Sequence, residues 1–120
     1  MSTRTQYDAD LAALKALLAK MGQLSADAVE DALESLCTAD AEGAKEIIKG
    51  DSEVNRMERD IEHRCMTLLL RQQPVASDLR FISAAMKVVT DVERIGDHAV
   101  NVAEWVQFVR TGRYKDESMF

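Results

Sequence analysis

The sequence predicts an all-α fold, an antiparallel three-helix bundle, and three observations carry that prediction. The 120 residues include one proline and five glycines, too few for a turn-rich β fold. Ala, Leu, Glu, Lys and Met are plentiful, and all favour helix. Apolar residues recur at spacings of three, four and seven in three long stretches, separated by two short breaks. Hydrophobic residues make up 47% of the chain and charged residues 30%, which suits a folded domain and argues against disorder. A chain of this length has room for one core and needs no disulfide or metal merely to fold.

The first helix is expected from about residue 6 to 38, on the stripe Leu11, Leu14, Leu18, Met21, Ala28, Ala32 and Leu36. Gly22 lies inside it and should weaken it locally. Thr38 and Asp40 are both suited to cap the helix that follows. The second helix, about 41 to 71, rests on Ile47, Val54, Ile61, Cys65 and Leu68, and ends at Gln72-Gln73-Pro74. Proline suits the first turn of a new helix, and Ser77 and Asp78 add capping options. The third helix, about 75 to 110, rests on Ile82, Ala85, Val89, Val92, Ala99, Ala103 and Val106, with Gly112 as terminator. Each helix spans about 45 Å at the usual rise, and the short connections force neighbours antiparallel. Residues 1–112 are thus read as one bundle and 113–120 as a flexible tail or the start of a linker.

A net charge of −6 argues against nucleic acid, which needs a basic face, and against charge-driven binding to an anionic membrane. The basic stretch from Arg59 to Arg71 is interrupted by Asp60 and Glu62. No apolar run approaches the ~18 residues of a membrane span, and the N-terminus has no signal-peptide core. Cys37 and Cys65 fall on apolar stripes without CxxC spacing, so both are expected to be reduced core residues of a cytoplasmic protein. Trp105 and Phe108, three apart, are expected to pack in the core, the alternative being apolar surface for self-association.

The chemistry-bearing constellation is acidic. Facing residues of an antiparallel hairpin lie at equal sequence distance from its turn. Asp51 and Asp97 are equidistant from Pro74, and so are Asn55 and Glu93. Each pair within a helix is spaced i,i+4 and shares a face. Asp51, Asn55, Glu93 and Asp97 are therefore expected to form one level patch across the second and third helices, with Glu58 and Asn101 extending the two rows. Carboxylates this close repel, so a cation, a proton or an arginine must compensate, and Arg94 and Arg80 are local candidates. Oxygen-only ligands suit Mg²⁺, Mn²⁺, Ca²⁺ or iron, and the lack of a matching His or Cys argues against zinc. The alternative is a solvated acidic face. Gly50 and Gly96 flank the patch, where backbone could approach another helix or a ligand. His98 points about 100° away from Asp97 and is expected at the surface; His63 has no partner of catalytic type. No nucleophile–base set or phosphate-binding glycine loop is found.

Two strings are specific: Arg71-Gln-Gln-Pro-Val-Ala-Ser-Asp-Leu-Arg80, and Asp91-Val-Glu-Arg-Ile-Gly-Asp97 followed by Asn101. With Asp51-Ser-Glu-Val-Asn55 and Met57-Glu58, the chain from about residue 7 to 106 resembles the PhoU family of phosphate-transport regulators. The resemblance implies a three-helix bundle, usually present twice in tandem, that restrains phosphate uptake and the phosphate-starvation response. It implies contacts with the ATPase subunit of the phosphate transporter and with a sensor histidine kinase, at the inner face of the membrane through those partners. It also implies E(D)xxxD motifs that bind divalent or trivalent metal ions, iron or zinc among them. Glu93 and Asp97 fill one motif; Asp51 and Asn55 fill its counterpart, with Asn where the motif has Asp. With one bundle here, the expectation is either one half of a longer protein or a single bundle that self-associates, as a homodimer, and so mimics the tandem arrangement. The function expected is a regulatory adaptor and not an enzyme. The alternatives are a metal-dependent phosphoester hydrolase, using cations on the acidic cluster to activate water, or a purely structural helical oligomerisation module.

Overall fold

A computed structural model of the chain describes residues 3–71 and 74–111. Gln72 and Gln73, the terminator Gly112 and the expected tail at 113–120 lie outside the described residues. Among the described residues there are three helices, α1 (Thr3–Thr38), α2 (Ala41–Arg71) and α3 (Ala76–Thr111), and each packs on both others. The bundle measures 58 × 24 × 21 Å, the rod that three helices of this length dictate.

The connections are local hydrogen-bond devices. α1 ends with Ala39 at φ 54°, a left-handed residue, and the Asp40 N–H donates to the Ser35 carbonyl at 2.9 Å. This six-to-one closure satisfies a carbonyl that the helix end would leave open. Asp40 then caps α2, its Oδ1 accepting the Gly43 N–H at 3.0 Å. Thr38, the other candidate cap, instead bonds back to the Glu34 carbonyl at 2.9 Å. Pro74 stands ahead of α3, whose first turn closes between the Leu79 N–H and the Val75 carbonyl at 2.8 Å. Asp78 is also occupied, accepting the buried Tyr7 hydroxyl at 2.6 Å and so tying the start of α1 to the start of α3. Those helices are therefore parallel, with α2 running against both.

The core has two parts. The larger contains Leu14, Met21, Met57, Ile61, Leu68, Ile82 and Val89 among its buried residues. At the other end Ala44, Ala103 and Val106 form a smaller cluster backed by Ile47 and Ile48. The α2 and α3 stripes read from the sequence face inward as expected. The last turn of α1 does not. After Ala32 the inward position falls to Ser35, three residues on, and Leu36 and Cys37 are exposed. Small residues close that end, so a polar Ser fits where a Leu was expected. Of the two cysteines expected in the core, only Cys65 is buried, where burial and the nearby Glu62 push its thiol up. Trp105 is likewise not core. It is half exposed and meets Phe108 edge to face, ring centroids 6.3 Å apart. α1 runs through Gly22 without a break.

Candidate functional site

The level patch is assembled where the hairpin arithmetic puts it. Asp51, Asn55 and Glu58 of α2 and Glu93 and Asp97 of α3 are all half-buried along the α2–α3 seam. The Asn55 amide donates to the Asp51 carboxylate at 3.4 Å. Glu93 is pushed up to about 7 from an ordinary 4.5, first by burial, then by a hydrogen bond to Asp97, and by the charges of Asp97, Glu58 and Asp51. Glu58 is also raised, by burial and by Glu62 and Asp97, against a smaller opposing pull from Arg59. Four carboxylates thus share one electrostatic field, and near neutrality a proton on Glu93 relieves part of it. Arg94 is exposed and forms no ion pair with the cluster among the described residues; Arg80 is exposed near the start of α3. Of the three expected remedies, a proton on Glu93 is the one its raised value favours, and Arg59 contributes a smaller pull at Glu58. Asn101 continues the α3 row, half-buried, and Glu104, seven residues after Asp97 and buried, lies on the same line. His98 is exposed, as expected, and so is His63.

Charge and donor chemistry fit a hard cation, since the cluster carries more negative charge than its basic neighbours offset. Convergence is a separate matter. Among the described residues no three His, Cys, Asp or Glu side chains stand where they would hold one ion, so ligation requires the half-exposed carboxylates to rotate inward.

The glycines divide. At Gly96 an added Cβ would lie 3.7 Å from Ser25 Oγ and 3.7 Å from Val54 Cγ1, so three helices meet there. Ser25 is itself buried, and its hydroxyl has no hydrogen-bond partner. At Gly50 an added Cβ would meet nothing within 4 Å, so no neighbouring helix accounts for that glycine.

Beyond Gly50 lies a feature that reading the stripes missed, a groove of ≈ 540 Å³ between α1 and α2. Its lining includes Asp51 and Gly96, so it adjoins the carboxylate cluster. The signal was present in the sequence. Leu24 and Val54, Ala28 and Gly50, and Ser35 and Gly43 are each equidistant from Ala39, the turn of the first hairpin. Ala28 opposite Gly50 leaves a gap where larger pairs would touch.

Residues 18–106 match the family model described as the PhoU domain. Among relatives, a PhoU homolog of the phosphate-specific transport system accessory proteins from Burkholderia is 38% identical over 103 residues, covering 86% of this chain and 44% of that protein. A homolog of the same description from Clostridium acetobutylicum is 37% identical over 115 residues, covering 95% and 52%. The crystal structure of PhoU from Pseudomonas aeruginosa superposes with a TM-score of 0.82 at 38% identity, over 94% of this chain and 55% of that one. The chain spans about half the length of the relatives it matches.

Proposed function

Because the chain belongs to the PhoU family, we propose that it is a non-catalytic regulatory adaptor of phosphate transport, restraining phosphate uptake and phosphate-starvation signalling through protein contacts and a cation-binding acidic face. Relatives are named as accessory proteins of the phosphate-specific transport system, which supports association with transport components. The partners proposed are the transporter's ATPase subunit, a sensor histidine kinase and a second copy of this chain, at the cytoplasmic side. Among the described residues no helix is long and apolar enough to cross a membrane, so attachment would run through partners.

The observation that carries the reading is the half-buried carboxylate cluster of Asp51, Glu58, Glu93 and Asp97, where burial first and then the neighbouring carboxylates raise Glu93 to about 7. Asp51, Glu93 and Asp97 would hold the ion, with Asn55 as a neutral oxygen donor and Glu58 and Asn101 at the margins. A bound divalent or trivalent cation supplies the positive charge that the Glu93 proton otherwise provides. Asn55 leaves the α2 motif one charge short, which favours exchangeable over permanent occupancy.

The test is elemental analysis of protein purified without chelator, joined to phosphate uptake in cells lacking their own regulator. Wild type is expected to carry metal and restrain uptake. Glu93→Ala and Asp97→Ala are expected to fold normally by circular dichroism, lose metal and release uptake. Full metal content and full restraint in both variants would overturn the assignment.

A further inference from the structure

The groove between α1 and α2 differs in character from the cluster beside it. Its floor is apolar, formed by Leu24, Ala28, Ile47 and Val54, with Val100 of α3 behind them. Its two banks are acidic: Asp27, Asp31 and Glu34 on α1, and Glu46, Asp51 and Glu53 on α2. No Lys, Arg or His is among its lining residues. Gly50 keeps the middle clear. A mid-helix glycine costs about 1 kcal/mol relative to alanine, and nothing packs into the space a side chain there would fill. Gly96, which lines the groove, lies next to Ser25, whose buried hydroxyl is unpartnered. From Leu24 to Ser35 the groove runs about 16 Å, the length of about three helical turns.

We propose that this groove docks a basic amphipathic helix of a partner protein. Apolar side chains at i, i+4 and i+7 would cover the floor, and Lys or Arg on both flanks would meet the carboxylates of the two banks. An apolar strip between two acidic rows is complementary to an apolar strip between two basic rows. A second copy of this chain is a poor occupant, because each copy carries a net charge of −6 and the two acidic banks would meet a like-charged molecule. The proposal goes beyond the cation-binding reading and centres on a different seam, sharing Asp51 with it, so it is tested in protein stripped with chelator, where loss of metal cannot affect the outcome.

The experiment titrates the full chain, ¹⁵N-labelled, with three probes: a three-turn Leu/Lys peptide of the required pattern, a scrambled peptide of equal composition, and spermine. The patterned peptide is expected to bind, with amide shifts confined to residues 24–35 of α1 and 43–54 of α2. The scramble and spermine are expected to bind at least about tenfold more weakly, about 1.4 kcal/mol. Gly50→Leu, which improves helix propensity while filling the groove, should weaken the patterned peptide about tenfold or more. Asp27→Lys with Asp31→Lys should also weaken it and reduce its salt dependence. If that double variant does not fold, Gly50→Leu decides. Absence of binding below millimolar concentration would overturn the proposal. So would equal binding of the scramble or spermine, shifts mapping to the α2–α3 seam, or unchanged affinity in Gly50→Leu.

Discussion

At Glu93 a carboxyl group that would ionise near 4.5 holds its proton to about 7, because ionising it adds charge to a partly desolvated site already shared with Asp97, Glu58 and Asp51. The consequence for stability has a definite sign. Between pH 4.5 and about 7 the folded chain binds more protons than the unfolded chain, so stability falls as pH rises. The contribution is complete below the ordinary value and is lost as pH passes through about 7. In chelated protein, the thermal midpoint is therefore expected to decline between pH 5 and 8. Glu93→Gln should remove most of that slope, leaving a remainder from Glu58, which is raised in the same sense. An undiminished slope in Glu93→Gln would place the proton elsewhere. Added divalent cation should restore the midpoint of wild type at the upper end of the range more than that of the variant, since an ion bound only by the folded state stabilises by mass action.

The elements join where chain direction reverses, and the tightest reversal sits on an alanine. Ala39 adopts φ 54°, a conformation that costs a residue with a Cβ about 1–2 kcal/mol and costs glycine nothing comparable. Ala39→Gly should relieve that strain, offset in part by a more flexible unfolded chain. The expected net gain is about 0.5–1 kcal/mol in urea denaturation, with no change in the Asp40 cap of α2; destabilisation would mean that the left-handed turn carries little strain. At Gly43, by contrast, a Cβ would stand 2.7 Å from the capping Asp40 Oδ2 and 3.0 Å from Ser35 Oγ, so a side chain there must displace the Asp40 cap. The helices were legible because Ile61, Val89 and their neighbours repeat with the helical period and are large enough to mark a stripe. The level patch was legible because equal distance from Pro74 is a matter of geometry alone. At the thin end of the bundle the same signals fail. Alanines and Ser35 do the inward packing there, so ranking positions by hydrophobicity selected Leu36 and Cys37. The α1–α2 groove escaped notice because it is made by absent side chains, which no stripe records. The proton on Glu93 was foreseen only as one of three remedies, since choosing among them needs to know that Arg94 is exposed.

For the molecule as a whole, the faces not spent in the core are unlike one another. Lys15 lies over the Phe81 ring, 5.2 Å from its centroid, which brings one edge of α1 beside one edge of α3. Seven-residue steps from Phe81 reach Val88, Ile95 and Val109, and from Lys15 reach Leu36; all four of these apolar residues are substantially exposed. This strip beside the α1–α3 seam is the surface we propose for the homodimer, which would make isologous contact about a two-fold axis. Native mass spectrometry is expected to find wild type as a dimer and Ile95→Glu as a monomer with unchanged helicity; a monomeric wild type would remove the dimer from the proposal. The Tyr7–Asp78 tie, which joins the start of α1 to the start of α3, also bears on how the seams are won and lost. The α1–α2 and α2–α3 pairings close through short hairpins, whereas the α1–α3 pairing joins residues an entire helix apart. Closing a longer loop costs more chain entropy, about 0.6 kcal/mol for each doubling, and contacts of high sequence separation are made late. The seam on which the proposed dimer would rest is thus the one whose native contacts are entropically dearest, and a partner resting on it would act as the clasp that holds the topology shut.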